Sequence, residues 1–414
     1  MTGELRRPHR LPVPTEEQGL NVALIHDWLT GMRGGEQCLE VLCSLFPQAD
    51  IHTLFHCKGT VSERIESHAI LTSFLQAVPA LRSHYRYLLP LFPLAVEGFD
   101  LNEYSLVISS SHCVAKGVIP RRDAVHICYC FSPMRYIWDM YPLYFRNPAY
   151  KSVPARLASV ISHYLRLWDV ASSQRVDHFV AISKFVAARI RRYYRRESSV
   201  IYPPVNCSRF SISRGRTRDY YLLVSAEAPY KRIDLAIDAF RSLGRPLCIV
   251  GNMSSEDSQR CRLLKRKNIS PLGWVPQEEL EGLYAHCRAL IFPGEEDFGM
   301  VPVEAQASGR PVIAYGRGGA LESVKGLWSH QVKGMGSAEW KAGYTGLFFE
   351  RPTATGLVEA VEAFESVEGR FDPDTINAWA QQFDTTIFER TFWGFVEHTL
   401  RRRSIGPSGE TTLS

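Results

Sequence analysis

The sequence contains no hydrophobic run approaching the ~18 residues that a membrane-spanning helix needs. It also has no Cys-x-x-Cys pair, although ten cysteines are present, at 38, 43, 57, 113, 128, 130, 207, 248, 261 and 287. Several fall inside apolar runs, such as Cys128 and Cys248. They read as small core residues in a reducing compartment, not as a disulfide frame or zinc site. Charge of one sign is scarce: 48 basic residues against 43 acidic ones leave a net charge of +5, too little to argue for nucleic acid. That mild bias suits phosphate-bearing small molecules or an anionic membrane face. With 29 glycines and 24 prolines in 414 residues, collagen-like and low-complexity chains are excluded. Residues 1–19 hold Arg6, Arg7, His9 and Arg10 but no apolar core, so they read as a disordered lead-in, not a secretion signal.

What is present is an ordinary globular balance, 45% hydrophobic and 22% charged. The chain is too long for one compact core, and two domains of roughly 180 to 200 residues are expected. Short apolar runs alternate with helical patterns. Asn21–Ile25 reads as a strand, and residues 35–46 carry a helical apolar stripe of Cys38, Leu39, Leu42, Cys43 and Phe46. Strand-like runs recur at 106–108, 126–129 and 179–182. The same grammar restarts after Tyr202-Pro203-Pro204-Val205, with runs at 221–224, 247–250, 289–292 and 311–314. This pattern predicts βαβ units and parallel sheets in two α/β domains, with a linker near 200–218. Two such sheets facing one another would bring their strand carboxyl ends to a shared cleft, where open α/β sheets bind ligands.

Three segments suit chemistry at such a cleft. Leu29 to Glu36 joins the first strand to the first helix. Its Gly34 and Gly35 let backbone N–H groups approach an anion at a helix N-terminus. It is neither a Walker loop nor a full GxGxxG, and its plainer reading is a turn that needs glycine. Tyr230-Lys231-Arg232 places two cations at the end of a strand, suited to a diphosphate or simply to water. Pro293 to Ala305 holds an acidic triplet at 295–297, Pro302, and Glu304, which the pattern puts in the first turn of a short helix. Glu296 and Glu304 can accept hydrogen bonds from sugar hydroxyls on either side of a phosphate. A divalent cation at the triplet is the alternative, but no His or Asp converges on it. Asp372-Pro373-Asp374 reads as a helix cap and not as a metal motif.

Glu296 and Glu304 stand in an E-x7-E spacing within E-D-F-G-M-V-P-V-E-A-Q-A-S-G-R-P-V. This resembles the donor-site signature of retaining glycosyltransferases with the GT-B fold, family four in the usual sequence classification. The resemblance covers residues 20–400. The segments His26 to Glu36, Ser111 to Gly117, Ser132 to Tyr136 and Tyr202 to Val205 resemble the branch of bacterial O-antigen and exopolysaccharide mannosyltransferases. It implies an acceptor domain over 20–200, a donor domain over 201–379, a helix near 380–401 crossing back onto the first domain, and a disordered tail at 402–414.

The resemblance further implies roles. Gly34 and Gly35 would face the donor diphosphate, Lys231 would neutralise the leaving phosphate, Arg232 would assist, and Glu296 would hold the donor sugar. Glu304 would bind the ribose, the backbone around Gly273-Trp274-Val275 would meet the base, and Phe298, Gly299, Met300 and Val301 would complete the donor loop. The loop Gly318 to Glu322 resembles the glycine-containing donor loop that follows. Asp27, His112, Phe131 and Arg135 would lie on the acceptor side, although Asp27 and His112 also read as turn or capping residues. No metal or cofactor is implied. The donor would be GDP-mannose or a UDP-sugar, and the acceptor a polyprenyl-linked or other glycan. The location would be cytoplasmic, peripheral on the inner face of the plasma membrane. Two positions depart from the pattern. Ala226 stands where the family carries an Arg, so Arg232, Arg33 or Arg317 would substitute. Phe131 stands where it often carries a His. A nucleotide-sugar 2-epimerase of the same fold, or a weakly active or non-catalytic binding partner, are the competing readings. The basic and aromatic segments Leu71 to Phe99 and Arg189 to Arg196 suit docking on an anionic bilayer, or are ordinary helices with solvated arginines.

Overall fold

The computed structural model describes residues 20–404 apart from 80, 147–154, 215–216, 227, 264–266, 333–334, 337–339 and 341–342. Among these residues the chain forms two seven-stranded sheets. The first contains β1 (Val22–His26), β2 (Asp50–Thr53), β3 (Ile70–Thr72), β4 (Leu106–Ser111), β5 (Val125–Cys130), β6 (His178–Ala181) and β7 (Ser198–Val200). The second contains β8 (Tyr221–Val224), β9 (Leu247–Val250), β10 (Ile269–Gly273), β11 (Leu290–Phe292), β12 (Val312–Tyr315), β13 (Gly326–Trp328) and β14 (Gly346–Phe349). The orders are β3-β2-β1-β4-β5-β6-β7 and β10-β9-β8-β11-β12-β14-β13. Every ladder is parallel. Strands covered on both faces are mostly apolar, and every residue of β4 and β5 is buried, Ser109, Ser110, Ser111 and His126 included.

Helices of eight or more residues are α1 (Gly34–Leu45), α2 (Ala155–Ser173), α3 (Lys184–Tyr194), α4 (Ile233–Leu243), α5 (Ser255–Arg262), α6 (Gln277–His286), α7 (Met300–Ala307), α8 (Ala354–Val367), α9 (Pro373–Ala380) and α10 (Thr385–Ser404). Among the described residues none is long and apolar enough to cross a membrane. Strand order reverses between β1 and β4 and again between β8 and β11. A crevice forms at the carboxyl end of each such switch point. Four loops leave those ends: 27–33, 112–117, 225–232 and 293–299.

Helix α10 packs on the first domain. Trp393 lies 5.8 Å from the Phe46 ring, and Phe388 and Phe392 lie 5.5 and 5.8 Å from Tyr129. Burying each phenyl group is worth about 1.5–3 kcal/mol. The chain therefore passes between the sheets twice, and the two passes lie side by side. The Val205 N–H donates to the Phe383 carbonyl at 2.9 Å, and the Thr385 N–H to the Val205 carbonyl at 3.1 Å.

Three sequence expectations change here. The polar stretch 208–219 is not free between the domains. Phe210 stands edge-on to Tyr284, Arg310 donates to the Ser213 carbonyl at 3.1 Å, and the Arg218 N–H donates to the His286 carbonyl at 2.9 Å. Residues 402–404 are helical, because α10 continues through Ser404. The expected lead-in and the rest of the expected tail, 405–414, lie outside the described residues. Helix α7 begins at Met300, so Glu304 sits past its first turn. Gly299 makes that start possible: its φ of 85° is left-handed, and a side chain there would meet the Phe292 ring.

Candidate active site

The second domain supplies one wall of the cleft. Lys231 ends the turn Pro229–Lys231, and its ammonium group donates to the Glu296 carboxylate. Gly294 lets the loop after β11 lie on that turn, since a side chain would collide with the Tyr230 carbonyl and the Lys231 Cα. The Gly319 N–H donates to the Glu296 carbonyl at 2.8 Å, so the expected second glycine loop fixes the backbone that carries Glu296. Glu304 accepts from the Tyr284 hydroxyl at 2.6 Å. Burial raises its carboxyl above the usual range, opposed by that hydrogen bond and by the charges of Arg209 and Lys231. Glu296, Lys231 and Glu304 are thus brought together.

The first domain supplies the other wall. Gly34 begins α1, and a Cβ there would stand 3.1 Å from the Met300 sulfur, so the starts of α1 and α7 face one another. Gly35 lies over Phe131 and His26, at 3.5 and 3.6 Å from its ideal Cβ. Two such helix starts present unpaired N–H groups and favourable partial charge to an anion.

Asp27 is fully committed. One of its carboxylate oxygens accepts from the N–H groups of His112 and Cys113 at 2.8 and 3.0 Å. The other accepts from Val114 and Ala115 at 2.7 and 2.8 Å. The His112 ring adds a contact at 2.9 Å. Burial disfavours the charge, but the His112 ring and its N–H hold the carboxyl well below the ordinary range. Asp27 therefore shapes the 112–115 loop, and the His112 side chain, 38% exposed, is the member turned outward.

Asp297 joins the two walls. Its carboxylate pairs with Arg135 and, at 2.8 Å, with Arg189 of the first domain. Its carbonyl accepts from the Ser183 hydroxyl at 2.6 Å. Glu322 closes the same seam, accepting from the N–H groups of Lys184 and Phe185 at 2.8 and 2.9 Å at the start of α3. Arg135 also lies 4.6 Å over the Tyr230 ring, which carries it from the expected acceptor side to the seam itself.

Several expected donor residues bury or pair their side chains. The Phe298 ring is buried, stacked 5.5 Å from Tyr202 and edge-on at 5.3 Å to Phe383, so the ring belongs to the core. Val275 is buried with the core. Met300 and Val301 pack partly against the same core. Arg232 is folded onto Asp234 of its own helix at 3.0 Å. Arg33 and Arg317 are exposed. Phe131 packs between Tyr129 and the two histidines 26 and 112.

Sequence reasoning gave no role to Glu36 or His26; it read Asp297 only as part of an acidic triplet and Arg189 only as part of a docking or solvated segment, whereas the structure buries both and pairs them. Glu36 is buried in the first turn of α1 and accepts from the Arg33 N–H at 3.1 Å, with His26 Nε2 4.0 Å away. Burial lowers His26 to about 4, so the imidazole is uncharged at neutral pH, and burial raises Glu36. An acid on the apolar side of a helical stripe was the available signal. Among the described residues no group of three or more His, Cys, Asp and Glu could hold a metal ion.

Residues 208–374 match the family described as glycosyl transferases group 1. The O-antigen chain mannosyltransferase RfbU of Salmonella typhimurium is 33% identical over 160 residues, 36% of this chain and 45% of that protein. The chain thus spans less than half the length of that relative. The alpha-1,3/1,6-mannosyltransferase ALG2 of Eremothecium gossypii is 23% identical over 376 residues, 75% of this chain and 71% of that protein. Among solved structures, Anabaena HepE in complex with UDP superposes with a TM-score of 0.64 at 15% identity, over 92% of this chain and 100% of that one. Sucrose-phosphate synthase of Thermosynechococcus elongatus gives 0.68 at 15% identity over the same shares. The likeness of these two structures is one of fold. Residues 208–374 thus match the glycosyl transferases group 1 family, within a chain of the two-domain GT-B fold.

Proposed function

We propose that the chain is a retaining glycosyltransferase that moves a hexose, mannose first among candidates, from a nucleotide sugar to a lipid-linked or polysaccharide acceptor in cell-surface glycan biosynthesis. GDP-mannose is the donor to test first, and UDP-sugars second. One observation carries the proposal: the Lys231 ammonium and the Glu296 carboxylate meet beside Glu304 at the β8/β11 switch point, opposite the start of α1. The mannosyltransferase names of RfbU and ALG2 support the choice of sugar.

Breaking a glycosyl–diphosphate bond leaves negative charge on the departing phosphate and positive charge on the ring. Lys231 and the N–H groups at the starts of α1 and α7 stabilise the phosphate more as that charge grows, which is what lowers a barrier. A bound diphosphate competes with Glu296 for the lysine. Releasing Glu296 frees its carboxylate to accept from the donor sugar's hydroxyls. Glu304, held by Tyr284, offers its other oxygen to the ribose. His112 faces the acceptor from the first domain.

Purified protein should release nucleotide from one member of a donor panel only when a glycan or lipid acceptor is present. Lys231→Ala should lower kcat by roughly 10²-fold, the scale of one lost charge-stabilising group. Glu304→Ala should instead weaken nucleotide binding in calorimetry. Epimerised donor without acceptor, nucleotide binding without turnover, or full activity in both variants would each refute the proposal.

A further inference from the structure

Two ion pairs meet on one aromatic ring at the seam. The Lys231 ammonium group stands 5.6 Å from the centroid of the Tyr230 ring, and the Arg135 guanidinium 4.6 Å from it. Their carboxylate partners are consecutive residues: Lys231 pairs with Glu296, and Arg135 with Asp297. One cation comes from each domain. Cations so close repel one another unless anions lie beside them, and the two carboxylates meet that need in the free protein. Arg135 is held in place from both sides along the chain. Met134 before it is fully buried, and the hydroxyl of Tyr136 after it meets the Cys113 thiol at 2.7 Å.

Asp297 does not depend on Arg135 for its own neutralisation. Arg189 pairs with it at 2.8 Å, and Asp139 lies 2.7 Å from Arg189 on another side. Arg189 also donates to the Ser132 hydroxyl at 2.6 Å. Arg189 thus has two carboxylates, and Arg135 shares one of them. The remaining nitrogen of Arg135 is the informative one. Its Nη1 is buried and, among the described residues, has no hydrogen-bond partner. A buried donor left unpaired is costly, and more so in a charged group. A guanidinium is a planar fork, so it can keep a carboxylate on one nitrogen and give another to a second anion. On the facing wall Lys231 is a point charge, and Arg232 beside it is already paired with Asp234 at 3.0 Å. A diphosphate carries negative charge on both of its phosphates, and one ammonium group leaves part of it unmatched.

We propose that Arg135 is a second phosphate-binding cation of the cleft. It reaches across from the first domain, keeps Asp297 on one nitrogen and gives another to the donor diphosphate beside Lys231. The assignment rests on reading the cleft as a nucleotide-sugar site, and adds to it a ligand from the facing domain. A monophosphate needs only one of the two cations, so the pair should favour diphosphates. Calorimetry of the full chain with GDP, UDP, GMP and UMP tests this. For the nucleoside that the protein binds, Arg135→Gln should weaken the diphosphate by roughly tenfold or more, as for a lost hydrogen bond between charged groups, and the monophosphate far less. Arg135→Lys keeps the charge beside Asp297 but not the fork, and should lose part of the same preference at an unchanged melting temperature. Wild-type diphosphate affinity in both variants would overturn the proposal and leave the cleft a nucleotide site. Equal losses for mono- and diphosphate would do the same, since an opened seam would weaken both alike. A wild-type chain that binds neither GDP nor UDP would overturn both readings.

Discussion

The two domains share the order of their first five strands, with the last two exchanged in the second, yet they invest differently. The second domain is a conventional layered sheet. Its apolar cluster, from Tyr221 through Phe364, closes over β8, β9 and β12, and its exposed large apolar residues are few: Leu263, Leu272, Trp274 and Leu321 among the described residues. The first domain buries His26, Asp27, Glu36, His52, Lys116, His126 and Asp169, and exposes leucines and aromatics instead. Buried ionisable groups are poor stabilisers and good positioners. In the first domain they fix the 112–117 loop from both ends, through Asp27 at the start and Lys116 with Asp169 at the end. The first domain thus holds its loop with charge, and the second relies on glycine turns.

The sharpest way to break this comparison is Asp169→Ala. It leaves Lys116 buried and unpaired, a change that costs about 3–5 kcal/mol. Hydrogen exchange should quicken across the first domain and hardly at all in the second. Equal loss in both would mean that the two unfold as one unit. Acid should act along the same line. His26, His52 and His126, all in the first domain, are lowered by burial from 6.5 to about 4. The unfolded chain then binds more protons between those values, so stability is complete above about 6.5 and falls as the pH drops towards 4, by up to roughly 3 kcal/mol for each histidine. Melting followed by exchange should show the first domain failing before the second over that window; a flat profile there would contradict the burial of these rings. The smallest effect is expected at the seam. Asp297→Asn keeps the shape but loses the charge that Arg135 and Arg189 share, a change on the 1.5–3 kcal/mol scale of a charge-assisted hydrogen bond. The radius of gyration should rise without loss of melting temperature, and the donor KM should rise by roughly tenfold. An unchanged radius would show that Glu322 and Ser183 suffice to hold the walls.

Legibility followed the same division. The wall of the second domain could be read because its parts are contiguous: Glu296 and Glu304 are joined by one loop and helix, and Lys231 stands in the turn that follows a recognisable strand. The burial of the Phe298 ring was not legible, since adjacency in a motif does not tell which side of the chain a ring takes. The first domain resisted because its partners are distant. Asp27 acts on amides 85 to 88 residues away, and the ion pair of Lys116 and Asp169 spans 53. Helix α2 was hidden in another way. Leucine, valine and tyrosine at helical spacing predict an inward stripe, but Ser162 and Asp169 are the buried residues, and Leu157, Val160, Tyr164 and Leu167 are exposed. The polar composition of 208–219 suggested a free connection, but its backbone groups found carbonyls and side chains on the second domain.

The paired crossings at Val205 and Phe383–Thr385 have a mechanical consequence. A body attached to another by one strand can swivel in any direction, but two strands bonded side by side leave a single easy axis, like the pin of a gate. Phe383 sits on that pin and touches both Tyr202 and Phe298. Phe298 is two residues from Glu296, so any swing of the domains is felt first by the loop expected to grasp the sugar.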